Sequence, residues 1–267
     1  MVDALADPAR RERTVLIVLA AYAAIWTLYG VLSKAIQDVQ SDTAELVAWS
    51  HHLELGYAKH PPLAAWLMHA WFTLFPIRDW SCYLLAMVYA ALGLWIAWRL
   101  FERFLDPDKR IVALACFTLV RYFNFLGLRF DHNAVLGALW AATTLCFILA
   151  FETRSAAWSA AAGAAAAAAM LGKYWSIFLL AGLAVAALAD TRRASYFRSA
   201  APWITVGGAR CCSRRMLSGW WRTISFRCLM RSIPTAQKRQ VNCSSPQPVI
   251  SPAVSAMRRC RCFWCWR

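Results

Sequence analysis

Up to about residue 205 the chain alternates long uncharged apolar runs with short charged or turn-forming stretches. Five runs stand out, at Val15–Leu32, Cys82–Trp98, Ala134–Phe151, Ala156–Gly172 and Tyr174–Ala189. Each approaches the roughly 20 residues an α-helix needs to cross the hydrocarbon core once interfacial flanks are counted. A sixth run, Ile111–Leu128, is interrupted by Arg121, and residues 201–209 (APWITVGGA) open in the manner of a seventh. The pattern predicts an all-α polytopic transmembrane bundle of about six spans over residues 1–205. The first run is longer than the apolar part of a typical leader, and no small-residue cleavage site clearly follows it before Lys34, so it is expected to stay as a span.

Between the first two spans the pattern changes period. After Ser41 and Asp42, Leu46, Trp49 and Leu53 fall on one side of a helix, with Glu45, Ser50, His52 and Glu54 elsewhere, and Gly56 supplies a stop. Pro61 and Pro62 then start a second helix whose apolar face is Leu63, Trp66, Leu67 and Ala70. Two short amphipathic helices are therefore expected to lie on the membrane surface in this loop.

Composition agrees with a membrane class: 60% of the 267 residues are hydrophobic and 15 are Trp. Orientation follows from basic residues near span ends. A cytoplasmic N-terminus puts eleven Lys and Arg inside and six outside (Lys34, Lys59, Arg78, Arg121, Arg129 and Lys173). The Asp42–Trp66 loop then faces the exterior of a plasma (inner) membrane. The net charge of +15 does not point to nucleic acid once divided along the chain. Residues 1–205 carry 17 basic and 14 acidic residues, whereas the last 62 carry 12 basic and no acidic ones, and hold seven of the ten Cys. Residues 206–267 show no helical or strand period. Cys260, Cys262 and Cys265 lack a second pair at zinc-finger spacing. This tail reads as an out-of-frame, disordered continuation of a truncated or frameshifted gene.

The chemistry concentrates in the first exterior loop, where Asp42, Glu45, His51, His52, Lys59 and His60 crowd beside the bilayer. Asp42 with Glu45 three residues later also reads as a helix N-cap with its capping-box partner. Lys59 could snorkel at the interface, and Asp131 could cap the fourth span. Lys173 lies between two apolar runs, where a charge must be exterior or paired. Asp42, Glu45, His51 and His52 could hold a divalent ion on paper, but the spacing fits no standard ligand set, so no metal or other cofactor is expected.

The order Asp42, Glu45, Gly56, Tyr57, Lys59, His60, Pro61, Pro62, Leu63 resembles the first exterior loop of the GT-C glycosyltransferases. The likeness is greatest to the branch of protein O-mannosyltransferases and aminoarabinose transferases, which includes rhizobial galacturonosyltransferase-like domains. Asp131-His132-Asn133 and Gly172-Lys173-Tyr174 are compatible with it, and the resemblance covers roughly residues 12–205. It implies a sugar moved from a polyprenyl-phosphate donor to an exterior lipid, glycan or protein acceptor, by inverting displacement. Asp42 then matches the general base. Lys59, Lys173 and Arg129 would face the lipid phosphate, His60 and His132 would donate to phosphate or sugar, and Asp131 is a candidate second acid. Glu45 and Tyr57 would support the site. The competing readings are a transporter or flippase, disfavoured by charges gathered at one face without an internal repeat, and a non-catalytic membrane protein.

Overall fold

The computed structural model describes residues 8–57 and 59–210, all within the first of two units into which the chain divides, Met1–Trp220. The tail from residue 211 onward lies outside the described residues, and with it the expectation of a disordered, out-of-frame segment.

Among the described residues every regular element is helical: α1 (Pro8–Ser33), α2 (Ser41–Ser50), α3 (Leu63–Phe72), α4 (Asp79–Phe101), α5 (Pro107–Leu119), α6 (His132–Thr153), α7 (Ala156–Gly172), α8 (Ser176–Ala189), α9 (Arg193–Phe197) and a stretch over 201–210. Arg10–Ser33, Asp79–Phe101 and His132–Thr153 are long and apolar enough to cross a membrane. The apolar helices α7 and α8 are shorter, at 17 and 14 residues. Leu16, Ile17, Ile25, Leu28 and Leu32 of α1 stay outside the protein core. Such a row of exposed large apolar side chains suits lipid tails. The chain is a multi-pass membrane protein.

Side-chain pairs give the direction of each helix. Trp98, near the end of α4, donates its indole N–H to Glu12 near the start of α1 at 3.0 Å, so α1 and α4 run antiparallel. Glu12 also meets Arg110 of α5 at 3.1 Å, and Arg110, almost wholly buried, lies 3.7 Å from the Trp98 ring centre. Arg103 pairs with Glu152 at the end of α6. One end of the bundle thus carries the Glu12–Arg110 network, and the other carries the 34–78 loop, the start of α6 and the α7–α8 turn.

Three local expectations are corrected. The Ile111–Leu128 run is not one helix: α5 ends at Leu119 and residues 120–129 form turns. The Tyr22 hydroxyl donates to the Thr118 and Phe123 carbonyls, and Asn124 Nδ2 to those of Thr118 and Leu119. These side chains satisfy carbonyls that a broken helix leaves without partners. In the loop, α2 stops at Ser50, so Leu53 is exposed instead of continuing an apolar face. In α3 the buried face is Ala64, Ala65 and Met68, with Leu63 and Leu67 only at its margin. Small residues let α3 sit close to its neighbours, which periodicity alone does not register.

The 201–210 helix packs against α7 backbone to backbone. A Cβ on Gly163 would come within 2.5 Å of the Thr205 carbonyl oxygen, and the Thr205 hydroxyl donates to the Ser159 carbonyl at 3.1 Å. Glycine at 163 is what permits this approach.

Candidate active site

The core beneath the loop determines which side chains meet. Leu46 of α2, Ala64, Ala65 and Met68 of α3, Cys82, Leu85 and Ala86 of α4, and Phe130 and Val135 around the start of α6 form one buried cluster. The Thr43 hydroxyl adds a hydrogen bond to the Phe130 carbonyl at 3.1 Å. These contacts clamp α2 and the following loop over the N-terminus of α6.

The loop between α2 and α3 is closed by Tyr57. Its ring stacks on Trp49, 4.7 Å between centroids and 7° from parallel, and its hydroxyl donates toward the His52 carbonyl (2.7 Å) and the Trp49 carbonyl (3.1 Å). Burial pushes its phenol up, so it remains a donor. The Trp66 indole N–H donates to the Glu54 carbonyl at 3.0 Å, and His69 Nδ1 lies 2.8 Å from the Ser50 carbonyl. His51 and His52 are exposed.

This arrangement brings His60 onto His132. The two rings lie 4.0 Å apart and 31° from parallel, and Trp49 approaches both, at 6.4 and 6.1 Å. Lys173 and Asp42 lie within electrostatic reach of both rings, with Glu45 and Lys59 also acting on His60. Burial, then the Lys173 ammonium, hold the His60 imidazole below its ordinary value; Lys59 adds to this, while Glu45 and Asp42 oppose it.

Asp42 is exposed near the start of α2, and its carboxylate accepts from Gln40 Nε2 at 3.2 Å. It is not the helix cap: Gln40 occupies that position and no side-chain cap bond forms. Glu45 is no capping-box partner either. It pairs with Lys59 at 3.2 Å, tying α2 to the loop.

Asp131 is the N-cap of α6. One carboxylate oxygen accepts from the Asn133 and Ala134 amides at 2.8 and 2.9 Å, and the other accepts from Asn133 Nδ2 at 3.1 Å. Held this way, Asn133 presents its oxygen to the Lys173 ammonium at 2.6 Å. The Tyr122 hydroxyl also donates to the Asn133 carbonyl. Arg129 lines a cavity of about 150 Å³ with Tyr89, Tyr122, Asp131 and Asn133, and among the described residues it forms no ion pair.

The three stretches singled out in the sequence thus converge, except that Arg129 lines a neighbouring cavity and the His51 and His52 side chains are exposed. Asn133 and Trp49 emerge as site residues. Asn133 sat in a motif that the sequence treated as merely compatible, and Trp49 read as part of an apolar helix face. Among the described residues no group of three or more His, Cys, Asp or Glu is arranged to hold a metal ion.

No curated protein and no solved structure matches the chain. The family described as dolichyl-phosphate-mannose-protein mannosyltransferase matches residues 59–212, more than half of the sequence. The match takes in Lys59, His60, Arg129, Asp131, His132 and Lys173, and begins after Asp42 and Glu45. The chain belongs to the dolichyl-phosphate-mannose-protein mannosyltransferase family, and so is a membrane glycosyltransferase of GT-C type.

Proposed function

We propose that the protein transfers a sugar from a polyprenyl-phosphate donor to a hydroxyl of an exterior lipid, glycan or protein acceptor, with inversion at the anomeric carbon. The observation that carries this reading is the meeting of Asp42, the His60–His132 pair and Lys173, which come from three distant segments, at one end of the bundle. The donor's lipid would lie in the bilayer and its sugar phosphate at the interface above α6.

Asp42 would serve as general base. Its carboxylate takes the proton of the acceptor hydroxyl as that oxygen forms a bond to the anomeric carbon. The bond from that carbon to the phosphate oxygen breaks, and its electron pair leaves on the lipid phosphate. The phosphate needs positive charge at that moment but no proton. Lys173, oriented by Asn133, and Arg129, in the adjoining cavity, would supply it. Lys59 would contribute less, because Glu45 partly neutralises it. Asp131 would act through Asn133, as a positioning residue more than as a second acid. The excess of basic residues at the Glu12–Arg110 end favours an N-terminus in the cytoplasm of an inner membrane, with the catalytic loop in the periplasm.

The test is sugar transfer from a purified polyprenyl-phosphate sugar to an added acceptor by the full chain and by Asp42→Asn. Transfer that depends on Asp42 supports the reading. Wild-type protein that neither binds nor consumes the donor would overturn it.

A further inference from the structure

Gln40 stands at the N-cap of α2, where its carbonyl accepts the Ala44 amide at 3.0 Å. Its side chain takes no part in the cap, because no side-chain cap bond forms. Ser, Thr, Asp and Asn are the residues whose side chains serve there. The Gln40 amide turns to Asp42 instead, and Nε2 donates to Asp42 Oδ2 at 3.2 Å. The other end of the amide is left wanting: Oε1 is buried and has no hydrogen-bond partner among the described residues.

An amide oxygen can only accept, and so can a carboxylate. The amide therefore cannot be turned over without setting its oxygen against Asp42. The side chain keeps a buried oxygen unpaired, which is unfavourable, and makes its one hydrogen bond to an exposed group two residues away. That bond adds little to the fold, since water can replace it at an exposed carboxylate. Its effect falls on Asp42. The backbone there is already fixed, because the next residue, Thr43, is buried and donates to the Phe130 carbonyl at 3.1 Å. What stays free is rotation of the Asp42 carboxylate, and the Gln40 amide restrains it.

We propose that Gln40 is a positioning residue for the base, held at a cost to the fold. This rests on the transferase reading above, with Asp42 as the base. Occupying Oδ2 leaves Oδ1 to take the proton of the acceptor hydroxyl. A donor on the carboxylate also favours its ionised form, the form that a base needs. Gln40 acts through Asp42 and touches neither donor nor acceptor. A local defect kept beside a reacting group is where function overrides the packing rules.

The full chain in detergent tests this with Gln40→Met, which keeps the length of the side chain and removes both polar atoms. Gln40→Glu, which sets a second carboxylate against Asp42, is the companion variant. In Gln40→Met, kcat should fall about tenfold with donor binding unchanged. The acid limb of its pH–rate profile should move up by about 0.5–1 pH unit, because a carboxylate that loses a donor binds its proton more tightly. In Gln40→Glu the limb should move further, through like-charge repulsion. The unfolding midpoint of Gln40→Met should hold or rise, since the unpaired oxygen is gone. On an Asp42→Asn background, Gln40→Met should cause no further loss. An unshifted pH profile, a loss of rate that follows a loss of stability, or a loss that adds in full to that of Asp42→Asn overturns the proposal. If transfer depends on Asp42 and ignores Gln40, this proposal alone fails. If Asp42→Asn transfers as well as wild type, or wild type transfers nothing, the base assignment fails and this proposal falls with it.

Discussion

The imidazoles of His60 and His132 lie 4.0 Å apart, although one sits in the loop after α2 and the other opens α6. That contact joins the loop to the membrane-spanning part of the protein, and both rings lie within electrostatic reach of Asp42 and the Lys173 ammonium.

Replacing Asp42 by Asn removes the proposed base while keeping the side-chain shape. Transfer should fall by about 10²- to 10⁴-fold, the usual contribution of a positioned general base. Because Asp42 is exposed and does not cap α2, the melting temperature should barely move. Full activity in the variant would remove Asp42 from the mechanism.

Lys173→Gln should weaken donor binding about 10- to 100-fold, the range of one charge-assisted hydrogen bond of roughly 1.5–3 kcal/mol. Asn133→Ala should have a smaller effect of the same sign, since it frees the ammonium without deleting it. Titration with bare polyprenyl phosphate separates the two, and equal effects would mean that Asn133 itself binds substrate.

His60 gives a pH dependence of defined sign. Its folded value lies below the ordinary 6.5, so the unfolded chain binds the proton more readily. Its contribution to stability is complete above that ordinary value and is lost as pH falls through it toward the lowered one. Thermal unfolding in detergent from about pH 8 to 5 should show this loss, and His60→Gln should flatten the curve. The charged groups around the ring are Lys173, Lys59, Glu45 and Asp42; an unchanged slope in the variant would mean that His60 does not carry the effect.

Gly163→Ala should undock the 201–210 helix, because the new methyl meets the Thr205 carbonyl at 2.5 Å. A loss of about 1–3 kcal/mol is expected, as for other overpacking changes. The measurement is denaturation of the purified protein, and an unchanged midpoint would mean that the two helices separate freely.

Arg110→Ala removes a buried guanidinium bonded to Glu12, Glu102 and the Trp98 carbonyl. Breaking such a network costs about 3–5 kcal/mol. The loss should appear in the melting temperature with little change in donor KM, since this network occupies the end of the bundle away from His132. A raised KM at constant stability would show that the two ends are coupled.

The all-α class, three helices long and apolar enough to cross a membrane, and the chemically dense loop were legible from the residues alone. Apolar run length against bilayer thickness is a local property, as is the clustering of ionisable groups beside a span. The prolines also marked the start of α3 correctly, because they act on the backbone next to them. What failed locally was whatever depended on a distant partner. The run at Ile111–Leu128 breaks where Tyr22, from another helix, bonds the Thr118 and Phe123 carbonyls. Asp42 had the spacing of a capping box, yet Glu45 turned to Lys59 instead.

Sequence by itself determined a membrane-spanning helical protein and which residue types could do chemistry in it. Only the tertiary structure decided that His60 lies on His132, that Asn133 holds Lys173, and that Arg129 shares a cavity with Asp131 and Asn133. The reason is that these pairings depend on which helix faces pack together. That choice is made by small buried residues such as Ala64, Ala65 and Gly163, whose signal along the chain is weak and whose effect on close approach is large.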